Sequence, residues 1–123
     1  MLDHDGLLIA SPEYNSGISG VLKNTIDWAS RPLSGETSLA CFTGKAAVLM
    51  SASPGGLGGL RGLVQVRSIL GNIGVLVLPQ QVAVSKADEA FNPEGMLKDS
   101  KQQKSIEKLG ADLTAMLKKL HTQ

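Results

Sequence analysis

Four glycines cluster near the middle of the chain, where they could let the backbone approach a ligand. They follow an apolar run and precede a helical pattern that starts at Leu60, and they are Gly55, Gly56, Gly58 and Gly59. Glycine permits close backbone contact, and the start of the following helix offers unpaired N–H groups with a partial positive charge. The segment could hold a planar or anionic ligand, and a tight strand-to-helix connection without a ligand is the alternative.

The spacing of these glycines does not match the common nucleotide-binding fingerprints. Counting G-x-G-x-x-G from Gly56 places Arg61 where the third glycine belongs, so the dinucleotide fingerprint is absent. Gly44 and Lys45 resemble the end of a Walker loop, but they precede a strand, whereas the lysine of that loop must open a helix. We therefore expect neither kind of phosphate loop here.

Apolar runs and helical patterns alternate along the chain and predict the elements that position these residues. Runs of strand length cover 7–11, 46–51 and 75–78, and the last could continue at 82–84 beyond Pro79, which cannot donate to a central ladder. Apolar residues spaced by three and four predict helices over 21–29, 60–73 and 100–120.

The last helix has the clearest sequence signals at its start and end. Ser100 and Gln103 are spaced as a capping box, and basic residues stand in the last turn. Three successive strand–helix units indicate a parallel sheet with right-handed crossovers and helices on both faces. Since ligands of such sheets bind beyond the carboxyl ends of the strands, the loops 12–20 and 53–59 are the expected ligand-binding segments.

Both loops carry specific motifs. Residues 11–28 read S-P-E-Y-N-S-G-I-S-G-V-L-K-N-T-I-D-W, and residues 53–61 read S-P-G-G-L-G-G-L-R. In this order and at this separation they resemble the P-E-Y-N loop, its following helix and the second flavin-facing loop of NAD(P)H-dependent FMN reductases. That family includes chromate and quinone reductases. The resemblance continues more loosely to about residue 100. The last helix resembles the family only in being a helix.

The resemblance implies an α/β protein with a flavodoxin-like, doubly wound parallel sheet that binds FMN. Hydride would come from NADPH or NADH and electrons would pass to a small-molecule acceptor, so no catalytic nucleophile or metal ligand is expected. Residues of the P-E-Y-N loop would contact the flavin ring, three glycines would leave room for the ring or its ribityl chain, and a serine would lie nearby. The expected cofactor-binding residues are Pro12, Glu13, Tyr14, Asn15, Ser53, Gly55, Gly56 and Gly58.

Several of these residues also have simpler interpretations. Glu13 could be a solvated loop acid, and Asn15 could use its side chain locally in a turn. Tyr14 could pack against the protein, although as the only tyrosine, on a loop at a strand end, it favours the site. Trp28 lies beside the apolar stripe of the first helix, where an interface or core role is favoured over cofactor contact.

The resemblance also implies that the 123 residues form one partial domain. Flavodoxin-like sheets have the strand order 2-1-3-4-5, and the first visible strand here corresponds to the third. Three βα units are visible, and the first two strands of the usual five are missing, together with the loop that holds the FMN phosphate. The uncovered edge of strand 7–11 predicts association into a homodimer or homotetramer.

Composition limits the partners and the compartment. The chain has 12 Lys+Arg against 11 Asp+Glu, so no strong charge points to nucleic acid or an anionic membrane. The apolar run 7–10 is far too short to span a membrane. Cys41 is the only cysteine, which excludes an intramolecular disulfide and a cysteine-rich metal site and favours the cytoplasm.

Three classes of function remain at this stage. The first is an FMN-dependent reductase that transfers hydride from NAD(P)H to a small acceptor such as flavin, quinone or a metal oxyanion. The second is an electron carrier of the flavodoxin type, which the nearly balanced charge disfavours because such carriers usually dock through acidic surfaces. The third is a flavin-free binding or assembly module that keeps the same fold.

Overall fold

A computed structural model describes residues 1–122 of the chain, and its order of elements matches the alternation expected from sequence. The elements in chain order are β1 (Gly6–Ala10), β2 (Glu13–Tyr14), β3 (Gly17–Ile18), α1 (Gly20–Ala29), β4 (Ala46–Ala52), α2 (Leu60–Asn72), β5 (Leu76–Val84), α3 (Ala87–Ala90) and α4 (Ser100–His121). The short hairpin of β2 and β3 and the short helix α3 were not expected from the sequence pattern.

Three parallel strands form the main sheet in the order β1-β4-β5, which confirms the predicted arrangement of the visible units. The central strand β4 is apolar on both faces, as a strand covered on both sides must be. Ala47 and Leu49 face a core formed with α1 and α2, whereas Ala46 and Val48 face a second core formed with α4. The sheet is therefore doubly wound. Within residues 1–122, no helix combines the length and apolar character needed to cross a membrane.

The third strand continues through Pro79, so the break that Pro79 suggested is absent. β5 lies at the edge of the sheet, and its register against β4 shifts there: Ala47 pairs with Val77, but Leu49 pairs with Gln81. Arg67 of α2 holds this irregular stretch by donating to the Leu78 carbonyl at 2.8 Å and to Gln81 Oε1 at 2.9 Å. A bulge in an edge strand tolerates proline because no ladder bond is lost.

The predicted capping box at the start of α4 is wrong by one residue. Asp99 is the N-cap, and its Oδ1 accepts from the Lys101 N–H at 2.8 Å and from the Gln102 N–H at 3.3 Å. Ser100 is the first helical residue, and Gln103 Oε1 instead accepts from the Leu97 N–H. A carboxylate one position earlier satisfies other N–H groups of the first turn and also interacts favourably with the positive end of the helix.

The other edge of the sheet is β1, which pairs on one side with β4. Leu8 at its centre is 58% exposed, and Trp28 on the neighbouring helix α1 is 73% exposed. Trp28 is therefore not a core residue, and an interface role is the interpretation that remains from the sequence. Exposed apolar side chains beside an open strand edge are the feature that oligomers commonly cover.

Candidate functional site

The two motif loops leave β1 and β4 at the same edge of the sheet and lie against each other. Residues 12–18 fold back as the β2–β3 hairpin, in which Glu13 pairs with Ile18 and Tyr14 pairs with Gly17. The hairpin packs on the first two turns of α2, which follows the glycine turn directly. This side-by-side placement is what two successive parallel strands predict for their carboxyl-end loops.

A two-residue turn at the tip closes the hairpin. Asn15 has φ 50° and Ser16 has φ 69°, so two consecutive non-glycine residues occupy the left-handed region. A two-residue hairpin of this kind needs positive φ at both central positions, and asparagine tolerates it better than most residues. The backbone of Asn15 thus forms the turn, whereas a local contact of its side chain and a contact with a flavin both stay predictions. Tyr14 beside it is 62% exposed instead of packed in the core.

Glu13 joins the hairpin to α2. Its side chain is only 7% exposed, and its Oε1 accepts from Arg61 Nε at 3.0 Å and from Arg61 Nη2 at 2.7 Å. Its Oε2 accepts from the Gly62 backbone N–H at 3.1 Å. The N-cap position of α2 is Gly59, which has no side chain to cap the helix. Glu13 therefore caps α2 from a distant part of the sequence, and it is neither a solvated loop acid nor free to reach a ligand with its carboxylate.

The surroundings of Glu13 favour its ionised form. Burial of the carboxyl raises its pKa, but the hydrogen bond from the Gly62 N–H and the hydrogen bond and positive charge of Arg61 outweigh that effect. The pKa of Glu13 is consequently held below its ordinary value of 4.5. At neutral pH the cap of α2 is a carboxylate, the species that the positive end of a helix favours.

A second attachment lies one helical turn further along α2. Gln65 Oε1 accepts from the Ile18 backbone N–H at 3.0 Å. Gly17 and Gly62 permit this close packing, because a Cβ at Gly17 would lie 2.8 Å from Gln65 Oε1 and a Cβ at Gly62 would lie 3.2 Å from the Gly17 carbonyl oxygen. Both strands of the hairpin are therefore fixed to the same helix.

The glycines of the turn divide into two structural classes. Gly58 has φ +62°, and a Cβ there would lie 2.7 Å from the Val84 carbonyl carbon; Gly59 has φ +89°, and its Cβ would lie 2.8 Å from Ser51 Cβ. Both are required for packing against the protein itself. Gly56 has no neighbour within 4 Å of an added Cβ, and at Gly55 the nearest atom is Ser53 Oγ at 3.8 Å. Only these two leave open space for a ligand, so the room expected at Gly58 is filled by the end of β5.

Two serines flank the start of the glycine turn in different ways. Ser51 is buried, and its Oγ donates to the Gly58 carbonyl at 2.7 Å, which fixes the turn to the end of β4. Ser53 Oγ accepts from the Gly55 N–H at 3.4 Å. Ser53 is among the residues expected from the sequence, whereas Ser51 is not. A hydroxyl at the carboxyl end of a buried strand, just before a glycine turn, is the signal that could have found it.

Two hollows of about 370 Å³ each adjoin the end of β1, and Pro12 lines both. The first, here called the edge cleft, is bounded by the ends of β1, β4 and β5 and by α4, and its walls include Pro12, Met50, Ser51, Val84, Phe91 and Ile106. The second lies between the hairpin and α1, and its walls include Tyr14, Val21 and Thr25. Both volumes fall within the roughly 300–1,000 Å³ of small-molecule sites. Phe91 and Ile106 did not stand out in the sequence.

The three long helices have their first turns occupied by the protein's own oxygen atoms. Ser19 Oγ accepts from the Leu22 N–H at α1, Glu13 caps α2, and Asp99 caps α4. A phosphate group commonly binds to free N–H groups at a helix start. At least one N–H group in the first turn of each helix is thus already used by a side chain of the protein. Within the residues that the structure describes, no group of three or more His, Cys, Asp or Glu residues could hold a metal ion. The open backbone at Gly55 and Gly56 fits the planar end of a flavin, whereas the capped helix starts offer little to its phosphate.

Comparison with known proteins decides the family. The family model described as NADPH-dependent FMN reductase matches residues 1–89, which include both motif loops and all three strands of the main sheet. The chain belongs to this family. The match confirms the relationship that the P-E-Y-N loop and the glycine turn indicated.

Individual relatives agree with this FMN reductase assignment. An NAD(P)H-dependent FMN reductase of Pseudomonas aeruginosa is 41% identical over 104 residues, which are 84% of this chain and 54% of that protein. A 2-hydroxy-1,4-benzoquinone reductase of a Burkholderia species is 35% identical over 88 residues, which are 72% of this chain and 46% of that protein. The chain thus spans about half the length of these curated relatives.

A solved structure supports the flavodoxin-like fold. FerB from Paracoccus denitrificans, a flavoenzyme described as an NAD(P)H:(acceptor) oxidoreductase, superposes with a TM-score of 0.79 at 27% sequence identity. The match covers 96% of this chain and 63% of FerB. The parallel sheet with helices on both faces is therefore the fold of this FMN reductase family member.

The two classes of glycine predict different losses of stability when glycine is replaced by valine. Gly58→Val places a β-branched residue at positive φ against the backbone of β5, and we expect it to lower the free energy of unfolding by about 2 kcal/mol or more. Gly56→Val projects into open space and should change that free energy by less than about 0.5 kcal/mol. Urea unfolding followed by circular dichroism measures both. Equal destabilisation by the two variants would contradict this division.

Proposed function

We propose that the described residues hold the ring end of FMN in a reductase that transfers hydride from NADPH or NADH to a small-molecule acceptor. The observation that carries the proposal is the attachment of the P-E-Y-N hairpin to α2 through Glu13, Arg61 and Gly62, in a chain of the FMN reductase family. This attachment fixes two loops at one edge of the sheet, where doubly wound proteins bind their ligands. The names of the relatives, among them a benzoquinone reductase, support a small organic acceptor.

Each site residue has a role in this proposal. Bound FMN would supply the redox chemistry, accepting hydride from the nicotinamide and passing electrons to the acceptor. Tyr14 is exposed and offers a ring beside the hollow at α1, and Pro12 lines both hollows. The open backbone at Gly55 and Gly56 admits a planar ring, with Ser53 as the adjacent hydroxyl. Asn15 lies at the exposed hairpin tip, where its amide can both donate and accept.

Glu13 and Gly58 contribute indirectly. The Glu13 carboxylate is committed to Arg61 and Gly62, so it orients the hairpin, and the cofactor-contacting role that the resemblance implied for it would fall to backbone atoms. Gly58 lets the turn lie against β5. Near-attack placement of two rings requires loops that do not move relative to each other, which is what these contacts provide.

The capped helix starts predict that the chain discriminates little between FMN and riboflavin. Because side chains of the protein already bond to N–H groups in the first turn of each long helix, we expect the FMN phosphate to gain little there, and FMN and riboflavin should bind this chain with dissociation constants within about threefold of each other. Charge-assisted hydrogen bonds to a phosphate contribute about 1.5–3 kcal/mol each, so even one such bond would make FMN bind about tenfold tighter or more. Quenching of flavin fluorescence measures both constants, and we expect the purified chain to be nearly colourless.

Variants separate ring binding from folding in the same titration. Gly56→Val should weaken riboflavin binding severalfold by filling the ring's space, while the matched variant Gly110→Val, on α4, should leave it unchanged. Anaerobic NADPH oxidation should then depend on added FMN. If the chain binds neither flavin while remaining folded, the flavin-free binding module is the correct alternative, and the proposal fails.

We further propose that the chain acts in the cytoplasm as a homodimer or homotetramer. The exposed Leu8 on the open edge of β1 and the exposed Trp28 on α1 support association, and the single cysteine supports a reducing compartment. Light scattering of the dilute chain should give a mass of twice or four times 12.9 kDa. A uniform monomer would contradict the oligomer.

A further inference from the structure

The glycine turn, residues 53–59, is held at its two ends by different parts of the protein. Its first half is bonded to the end of β5 and the residues after it. The Ser53 N–H donates to the Val84 carbonyl at 3.0 Å, and the Ala87 N–H donates to the Ser53 carbonyl at 3.1 Å. The Lys86 N–H donates to the Gly55 carbonyl at 3.3 Å. These three bonds use main-chain atoms alone.

The second half of the turn is held by a side chain of β4. Ser51 Oγ donates to the Gly58 carbonyl at 2.7 Å, and Ser51 is only 5% exposed. The same residue stands against the start of α2, where a Cβ at Gly59 would lie 2.8 Å from Ser51 Cβ. A hydrogen bond shielded from water resists opening, because breaking it leaves both buried groups without a partner. Ser51 is thus the side chain that anchors this half of the turn.

Between these two attachments lie the residues that are proposed to admit the flavin ring. Gly56 has open space around an added Cβ, and Gly55 has only Ser53 Oγ nearby. Gly58 joins this open stretch to Ser51, since its N–H donates to the Gly55 carbonyl at 3.3 Å while its carbonyl accepts from the Ser51 hydroxyl. A displacement of about 1 Å between reacting groups can cost about a hundredfold in rate. The position of the open backbone therefore depends on one hydroxyl of the central strand.

We infer that Ser51 is a positioning residue for the flavin ring, which it serves by fixing the Gly58 carbonyl. Its hydroxyl hydrogen is committed to that carbonyl, so it has none left to donate to a ligand. The inference rests on the proposed function, because a turn that holds no ring would give this bond a structural role only. A positioning role predicts that loss of the hydroxyl disturbs the turn and ring binding together, beyond the general loss of stability that follows when any buried hydrogen bond is removed.

A matched pair of serine-to-alanine variants separates these two roles. Ser30 is also 5% exposed, and its Oγ donates to the Asp27 carbonyl at 2.7 Å, but it ends α1, which leads back towards the start of β4. Ser51→Ala and Ser30→Ala should therefore lower the urea midpoint by similar amounts. In native-state hydrogen exchange, the Gly58 amide should exchange about fivefold faster or more in Ser51→Ala and within about twofold of the parent rate in Ser30→Ala. The buried Val66 amide reports global unfolding in both variants.

Riboflavin titration of the same variants completes the test. Ser51→Ala should weaken riboflavin binding about fivefold, Ser30→Ala should leave it unchanged, and Ser51→Thr, which keeps the hydroxyl on a residue suited to a strand, should restore it. An unchanged exchange rate of the Gly58 amide in Ser51→Ala would overturn the inference. So would an unchanged riboflavin affinity in that variant, or an equal loss of affinity in Ser30→Ala. The parent titration alone tests the proposed function, so the two proposals can fail separately.

Discussion

Helix α2 begins at a glycine turn whose N-cap, Gly59, has no side chain, so the N–H groups of its first turn must find a partner elsewhere. The partner is Glu13, 49 residues away in sequence from Gly62. Because Glu13 belongs to the hairpin, capping the helix also fixes the hairpin, and with it the two loops that the parallel sheet delivers to one edge. Gly59 is required at the helix start because a side chain there would collide with Ser51. The missing N-cap side chain is supplied by an acid on the neighbouring loop. The rest of the site depends on this contact.

The contact between Glu13 and α2 also bears on which part of a flavin the described residues could hold. The Glu13 carboxylate, paired with Arg61, already occupies part of the start of α2, where many α/β proteins bind a phosphate. The walls of the edge cleft, which adjoins the end of β1, are largely apolar. The fold and the helix capping support the proposed site for the flavin ring, in a chain that matches about half the length of its FMN reductase relatives.

The sequence predicted the fold well, because its signals are local or periodic. Apolar runs of strand length, helical spacing and the P-E-Y-N and glycine motifs were sufficient to place the sheet, its helices and the two loops. The partners of Glu13 could not be predicted, since the ion pair with Arg61 joins residues 48 apart and has no spacing rule. The different roles of Gly56 and Gly58 depend on how the turn meets β5, and Phe91 reaches the cleft through a loop without a regular pattern. The P-E-Y-N glutamate resembled a ligand contact because the motif was known, and its buried side chain shows a capping role.

The most direct test of this account is the pH titration of the Gly62 amide by ¹H–¹⁵N NMR. Glu13 has a lowered pKa in the folded chain, so the cap is fully formed above 4.5, and it is lost as the pH falls through the lower folded value. The Gly62 amide should therefore shift with a midpoint below 4.5, and this shift should vanish in Glu13→Gln. A Gly62 amide that does not titrate in the parent chain, or that titrates at or above 4.5, would contradict the central role of Glu13.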